Sequence, residues 1–142
     1  MMNLALREFV GTFAVPALFA PDAAAKRRTV EFFTAHIRNV NTRRAYASSG
    51  EDFARWCRML GIGDLRSVQP VHVAAYIEQL SLSAPSVKQR LAALRSLFDW
   101  LVVGQVLPLN PAASVRGPRH SVRIDKIAHL LRREHRRLAD PH

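Results

Sequence analysis

The sequence predicts an all-α fold, a bundle of four helices, and three observations predict it. Apolar residues recur at three- and four-residue intervals in four successive segments between residues 22 and 104. Asp, Asn, Pro and Gly fall at the borders of those segments, where helix caps and stops are wanted. No stretch alternates β-branched with polar residues at the period of a half-buried strand, and no internal repeat is visible. A chain of 142 residues holds enough material for one domain with a modest core, plus arms.

Asp22 is placed to cap a first helix running through Arg38, with Val30, Phe33 and Ile37 on its buried face. Asn39-Val40-Asn41 breaks the pattern. Asn41 or Thr42 then caps a second helix that reaches Leu60 and buries Tyr46, Phe53, Trp56, Cys57 and Leu60. Gly50 is a weak point inside it, costing roughly 1 kcal/mol against Ala. Gly61 and Gly63 stand where a left-handed C-cap is wanted. Pro70 fits the first turn of a third helix, which runs to about Leu82 with Val73, Ala74, Ile77 and Leu80 inward. Ser83-Ala84-Pro85 opens the fourth. There Val87, Leu91, Leu94, Phe98 and Leu101 give the strongest periodicity in the chain, and Gly104 ends it.

The flanks read differently. Residues 1–21 form an N-terminal arm ahead of the domain at 22–104. Its apolar run at 10–20 resembles the h-region of a signal peptide, but only one Arg precedes it and Pro16 interrupts it, so an arm packing on the domain is expected. Residues 105–123 hold Pro108, Pro111 and Pro118 and read as an extended linker. In the basic tail at 124–142, Ile124, Ile127, Leu131 and Leu138 lie roughly on one side of a possible short helix, with Lys126, Arg132, Arg133, Arg136 and Arg137 around them.

Charge narrows the function. Twenty-one Lys and Arg against eleven Asp and Glu give a net +10, which points to a polyanionic partner, nucleic acid before an acidic membrane surface. The plainer alternative is solvated charge that keeps the protein soluble. Cys57 is the only cysteine, so neither an internal disulfide nor a cysteine zinc cluster is available, and a reducing cytoplasm fits. No run approaches the roughly 18 apolar residues of a membrane span. There is no Gly-rich phosphate loop, no paired-histidine metal motif and no conspicuous Ser, His and acid set. No cofactor, metal or small-molecule substrate is therefore expected. Trp56 and Trp100 fall on inward stripes and read as core, not as base-stacking platforms.

The positive signal lies at two helix starts. Thr42, Arg43 and Arg44 occupy the first turn of the second helix; Ser86, Lys88, Gln89, Arg90 and Arg95 occupy exposed sides of the fourth. Free backbone N–H groups at a helix start suit a phosphate, Arg offers bidentate donors to phosphate or guanine, and Gln pairs with adenine. Lys88 and Arg95, seven apart, share one line of the helix surface. Cations in a first turn oppose the helix dipole by roughly 0.3–1 kcal/mol each, so their presence argues for another use. Arg55 and Arg58 instead have Glu51 and Asp52 nearby as partners.

The ordered set N-T-R-R-A-Y, D-F-A-R-W-C, V-H-V-A-A-Y-I, S-A-P-S-V-K-Q-R-L-A-A-L-R-S-L-F-D-W-L and N-P-A-A-S-V-R-G-P-R resembles the N-terminal half of tyrosine site-specific recombinases, the phage-integrase and Xer-type enzymes. The resemblance covers roughly residues 22–120. It implies a four-helix, SAM-like core-binding domain that packs on one face of double-stranded DNA while a separate catalytic domain grips the other. By position, the helices bearing Thr42, Arg43 and Arg44 and bearing Ser86, Lys88, Gln89, Arg90 and Arg95 approach the major groove. Arg116 and Arg119 track the backbone between domains. The connection at 80–83 is short for the family. After Ser121 the sequence does not resemble the start of the catalytic half; an altered or out-of-frame terminus, and a chain without strand-cleaving activity, are the expectation. Recombinase subunits are the alternative partner, with the domain acting as a helical interaction module. A lipid-binding tail is a third reading.

Overall fold

A computed structural model describes residues 14–118, and among them the predicted four helices appear and no strand does. They are α1 (Ala23–Glu31, continuing as a π-helical turn over Phe32–His36), α2 (Val40–Met59), α3 (Pro70–Gln79) and α4 (Ala84–Val103).

Local chemistry explains most of the borders. Asp22 caps α1 by accepting the Ala25 N–H at 2.8 Å, and its other oxygen takes Arg66 at 2.9 Å, which ties the turn before α3 to the start of α1. The Ala25 hydrogen bond holds the Asp22 carboxyl below the usual carboxylate range; slight desolvation opposes this and Arg66 reinforces it. Thr29 and Thr34 bond back to the carbonyls of Ala25 and Val30, a habit that loosens a helix, and α1 ends in the π turn closed by Ile37 N–H onto Phe32 O at 3.1 Å. Pro70 stands in the first turn of α3, where Gln69 N–H donates to His72 Nδ1. Ser83 caps α4. Gly61 has φ +80°, the left-handed stop that α2 required.

Several borders differ from expectation. The cap of α2 is Asn39, whose Oδ1 accepts the Thr42 N–H at 3.0 Å, two or three residues earlier than read. Leu60 falls just past the helix and is 56% exposed, because Gly61 turns the chain outward there. The third helix stops at Gln79 and leaves Ala74 exposed. Val30, Tyr46, Trp56 and Trp100 are half-buried at the rim of the core.

The flanks join the core where they are described. Leu18 and Phe19, in a short 3₁₀ turn, are buried, and Phe19 packs on Phe98 at 6.1 Å between ring centroids. The stretch read as an extended linker folds back instead, burying Val106, Leu107, Ala112 and Val115. The tail at 124–142 lies outside the described residues.

At the centre, Phe53 of α2 meets Phe98 of α4 edge to face at 6.1 Å, and Tyr76 of α3 packs on Phe53 at 5.0 Å. A second tie joins α1 to the end of α4. Arg28 Nε donates to Trp100 O at 3.0 Å, Trp100 Nε1 donates to Arg28 O at 2.9 Å, and the guanidinium lies 3.6 Å from the indole centroid. The Arg28 side chain passes over Gly104, where a Cβ would sit 2.2 Å from its Nε.

Two glycines thus predict opposite outcomes for one substitution. At Gly50 an added Cβ meets only Phe19 Cε2, at an ordinary 3.8 Å. Gly50→Ala should raise unfolding stability by about 0.5–1 kcal/mol. Gly104→Ala displaces Arg28 and should lower stability by about 1–2 kcal/mol. Urea titrations of both variants read the two signs directly.

Cys57 supplies a pH test. Burial pushes its thiol up to about 12, against 9.0 for an ordinary thiol. The folded state therefore keeps a proton that the unfolded chain releases. The corresponding stability is intact below pH 9 and drains away as pH rises towards 12. Melting curves of Cys57→Ala should fall less steeply over that interval than those of the parent.

Candidate nucleic-acid interface

The residues expected to meet DNA divide, in the structure, into those that reach solvent and those that hold the fold. Because Asn39 starts α2 early, Arg43 lies a full turn inside the helix and is rotated inward. It is only 3% exposed. Its Nη2 donates to Ile37 O at 2.7 Å and its Nε to the same oxygen at 3.2 Å, with Arg38 O at 3.5 Å. Those carbonyls end the π turn of α1, so Arg43 is the strut of the α1–α2 connection. Thr42 and Arg44 remain exposed beside it.

At the start of α4, Ser86 is half-buried and engaged in the cap, its N–H 3.4 Å and its hydroxyl 2.9 Å from Ser83 Oγ. Lys88 and Gln89 are exposed. Arg90 reaches across to α2, where its Nη1 pairs with Asp52 Oδ2 and lies 3.1 Å from Tyr76 Oη; the phenol donates to the same Oδ2. Asp52 Oδ1 receives Arg55 from one turn along α2, at 3.4 Å. One carboxylate thus faces two guanidinium groups, and the cluster keeps one net positive charge. Burial opposes the charge on Arg90, but the hydrogen bonds and charges of Tyr76 and Asp52 overcome it and raise its pKa. Burial, and then the bond to Asp52, push the Tyr76 phenol up.

Arg95 does not share an open line with Lys88. Its Nε donates to Ala112 O at 3.2 Å and its Nη2 bonds Val115 O. Asn110 Nδ2 returns a bond to Arg95 O at 3.0 Å while its Oδ1 accepts the Ala112 N–H at 2.8 Å. The helical geometry behind the expectation holds, but residues 112–117 lie over that line. A Cβ on Gly117 would stand 3.2 Å from Leu91 and 4.0 Å from Lys88. Arg116 is exposed, and Arg119 lies outside the described residues.

The two basic helix starts are therefore not gathered at one end. Arg90 neighbours Asp52, which stands eight residues beyond Arg44, about 12 Å along the α2 axis. The Asp52–Arg55 contact was readable at helical spacing. The shared use of Asp52 by Arg90 and Tyr76, which is what holds Arg90 in place, carries no signal in the sequence. No group of His, Cys, Asp and Glu suited to a metal occurs among the described residues, and no helix there is long and apolar enough to cross a membrane.

Fold and surface together define a small, all-helical SAM-like module with cations spread over two packed helices. The family model described as phage integrase, N-terminal SAM-like domain, matches residues 31–104, and the chain belongs to that family. Among curated proteins it is similar to the tyrosine recombinase XerC of Vibrio atlanticus (strain LGP32), 31% identical over 106 residues, 66% of this chain and 33% of that protein. It is 32% identical over 88 residues to the Serratia marcescens XerC, covering 60% of this chain and 29% of the relative. Against Escherichia coli O157:H7 (strain EC4115 / EHEC) XerC it is 46% identical over 56 residues, 35% and 19% of the two chains. The chain thus spans about a third or less of the length of these relatives. No solved structure matches significantly.

The assignment of Arg43 to the fold is checked by Arg43→Ala. Its loss strips a charged donor from buried carbonyls and should cost about 2 kcal/mol of stability in urea unfolding. A surface cation would show almost no change.

Proposed function

We propose that this chain serves DNA recombination as a DNA-binding module of the tyrosine-recombinase kind, seating α2 and α4 on duplex DNA. Strand cleavage falls to residues outside the module. The observation that supports this most is that Arg44, Lys88 and Gln89 stand exposed on the two helices that build the core, which the Arg90–Asp52 pair ties together with Arg55 alongside.

The contact set is narrower than the charge count. Arg44 and Lys88 neutralise phosphates, and Arg55 adds a third cation. Thr42 and Ser86 offer hydroxyls at the helix starts. Gln89 is the residue whose side chain suits adenine in the major groove. Arg90 is presented in one orientation by Asp52 and Tyr76, which favours a directional contact over a roaming one. Arg116, and beyond it Arg119, follow the backbone. Arg43 and Arg95 shape the surface without touching DNA.

Fluorescence anisotropy with inverted-repeat and scrambled duplexes, across a salt series, tests the reading. Affinity should fall with salt at a log–log slope of about −0.9 per neutralised phosphate. Arg44→Ala and Lys88→Ala should each weaken binding and flatten that slope by about one phosphate. Slopes unchanged in both variants, or no binding to either duplex at low salt, would sink the proposal.

A further inference from the structure

Between α3 and the start of α4 runs an apolar groove of about 730 Å³ that the DNA-binding reading leaves unused. Ile77 and Val87 form its floor, and Val71, Ala74, Leu80 and Leu82 its walls. Val71 is 63% and Leu82 44% exposed, so the walls of the groove leave aliphatic surface open. The remaining wall is residues 114–118, the last part of the chain that the structure describes.

The charge of this region is as distinctive as its hydropathy. In a chain of net +10, residues 67–87 contain no Lys or Arg, and Glu78 is their one formal charge, balanced across the groove by Arg116 alone. A surface of that kind does not suit a phosphate backbone. It suits an apolar segment flanked by cations, which would meet repulsion over most of the rest of the molecule.

We propose that the groove receives residues 124–138 of the same chain, with Ile124, Ile127 and Leu131 set against Val71, Ala74 and Leu82. Three observations converge on this occupant. The chain leaves Pro118 from the groove's own wall. Six residues, extended at up to about 3.6 Å each, then reach about 20 Å, more than the roughly 15 Å length of α3. Ile124, Ile127, Leu131 and Leu138 follow the three- and four-residue spacing of a groove-binding stripe, and Lys126, Arg132 and Arg133 flank them. A tether this short gives an effective concentration in the millimolar range, so a chain's own segment outcompetes that of a second copy at micromolar protein. Docking there covers the exposed aliphatic wall.

The test uses the full chain, unlabelled, with the photo-crosslinker p-benzoylphenylalanine at Val71, irradiated as an equimolar mixture with probe-free, ¹⁵N-labelled protein and analysed by peptide mass spectrometry. The expected product joins position 71 to a peptide within 124–138 of the same, unlabelled chain. Ile127→Asp combined with Leu131→Asp should lower its yield about tenfold, since each change removes an apolar contact. Leu82→Asp, on the groove side, should do the same if folding of the tail variant is in question. Crosslinks to ¹⁵N-labelled chains would assign the groove to a second copy and overturn the proposal. Products outside 124–138, no product, or a yield indifferent to the Asp substitutions would overturn it as well. None of these readouts involves DNA, so their failure is distinguishable from failure of the DNA-binding reading.

Discussion

The meeting of Phe53 and Phe98 is the constraint on which the rest of the domain depends. Those two fully buried rings lock α2 to α4, and each also receives an element from elsewhere in the chain. Tyr76 brings α3 onto Phe53, and Phe19 brings the N-terminal turn onto Phe98. Edge-to-face contacts are directional, so the pair sets angle as well as distance. Tyr76 extends that influence to the surface. Its ring belongs to the core, while its hydroxyl stands between Asp52 and Arg90. The orientation of a surface arginine is thereby inherited from the packing beneath it.

Besides pairing with carboxylates, as Arg55, Arg66 and Arg90 do, arginine has two employments in this domain, and net charge does not distinguish them. Arg28, Arg43 and Arg95 spend their donors on carbonyls of Trp100, Ile37 and Val115; Arg28 and Arg95 join distant parts of the chain, and Arg43 closes the α1–α2 turn. The guanidinium is suited to this because several N–H groups in one plane can satisfy carbonyls that no backbone partner reaches. Arg44 and Lys88 sit at the surface instead. Fewer cations therefore reach the surface of this domain than its composition implies.

What was legible in the sequence follows the range of the interactions involved. Asp22, Pro70, Ser83, Gly61 and Gly104 announce helix borders because capping is settled within a few residues. The α1–α2 border was harder, since Asn39, Asn41 and Thr42 are all competent caps and only the approach of Arg43 to Ile37 O accompanies the first of them. The burial of Arg43 and the half-burial of Arg95 left no mark in the sequence, for a shared reason. Their partners are carbonyls, which every residue carries, so no side-chain identity marks them in advance. The burial of Val106, Leu107, Ala112 and Val115 was likewise hidden, because short apolar stretches among prolines show no period, whereas the packing of Leu18 and Phe19 follows from the apolar run at 10–20.

Arg95 has a mechanical consequence. By gripping the carbonyls of Ala112 and Val115, with Asn110 bracing the same turn, it welds the outgoing chain to α4 for about a dozen residues beyond the helix's own end. The heading at which the polypeptide departs is then a property of the bundle and not of a swivel at Gly104. Rotation of α4 would therefore be passed as torque along the chain as far as the wall formed by residues 114–118.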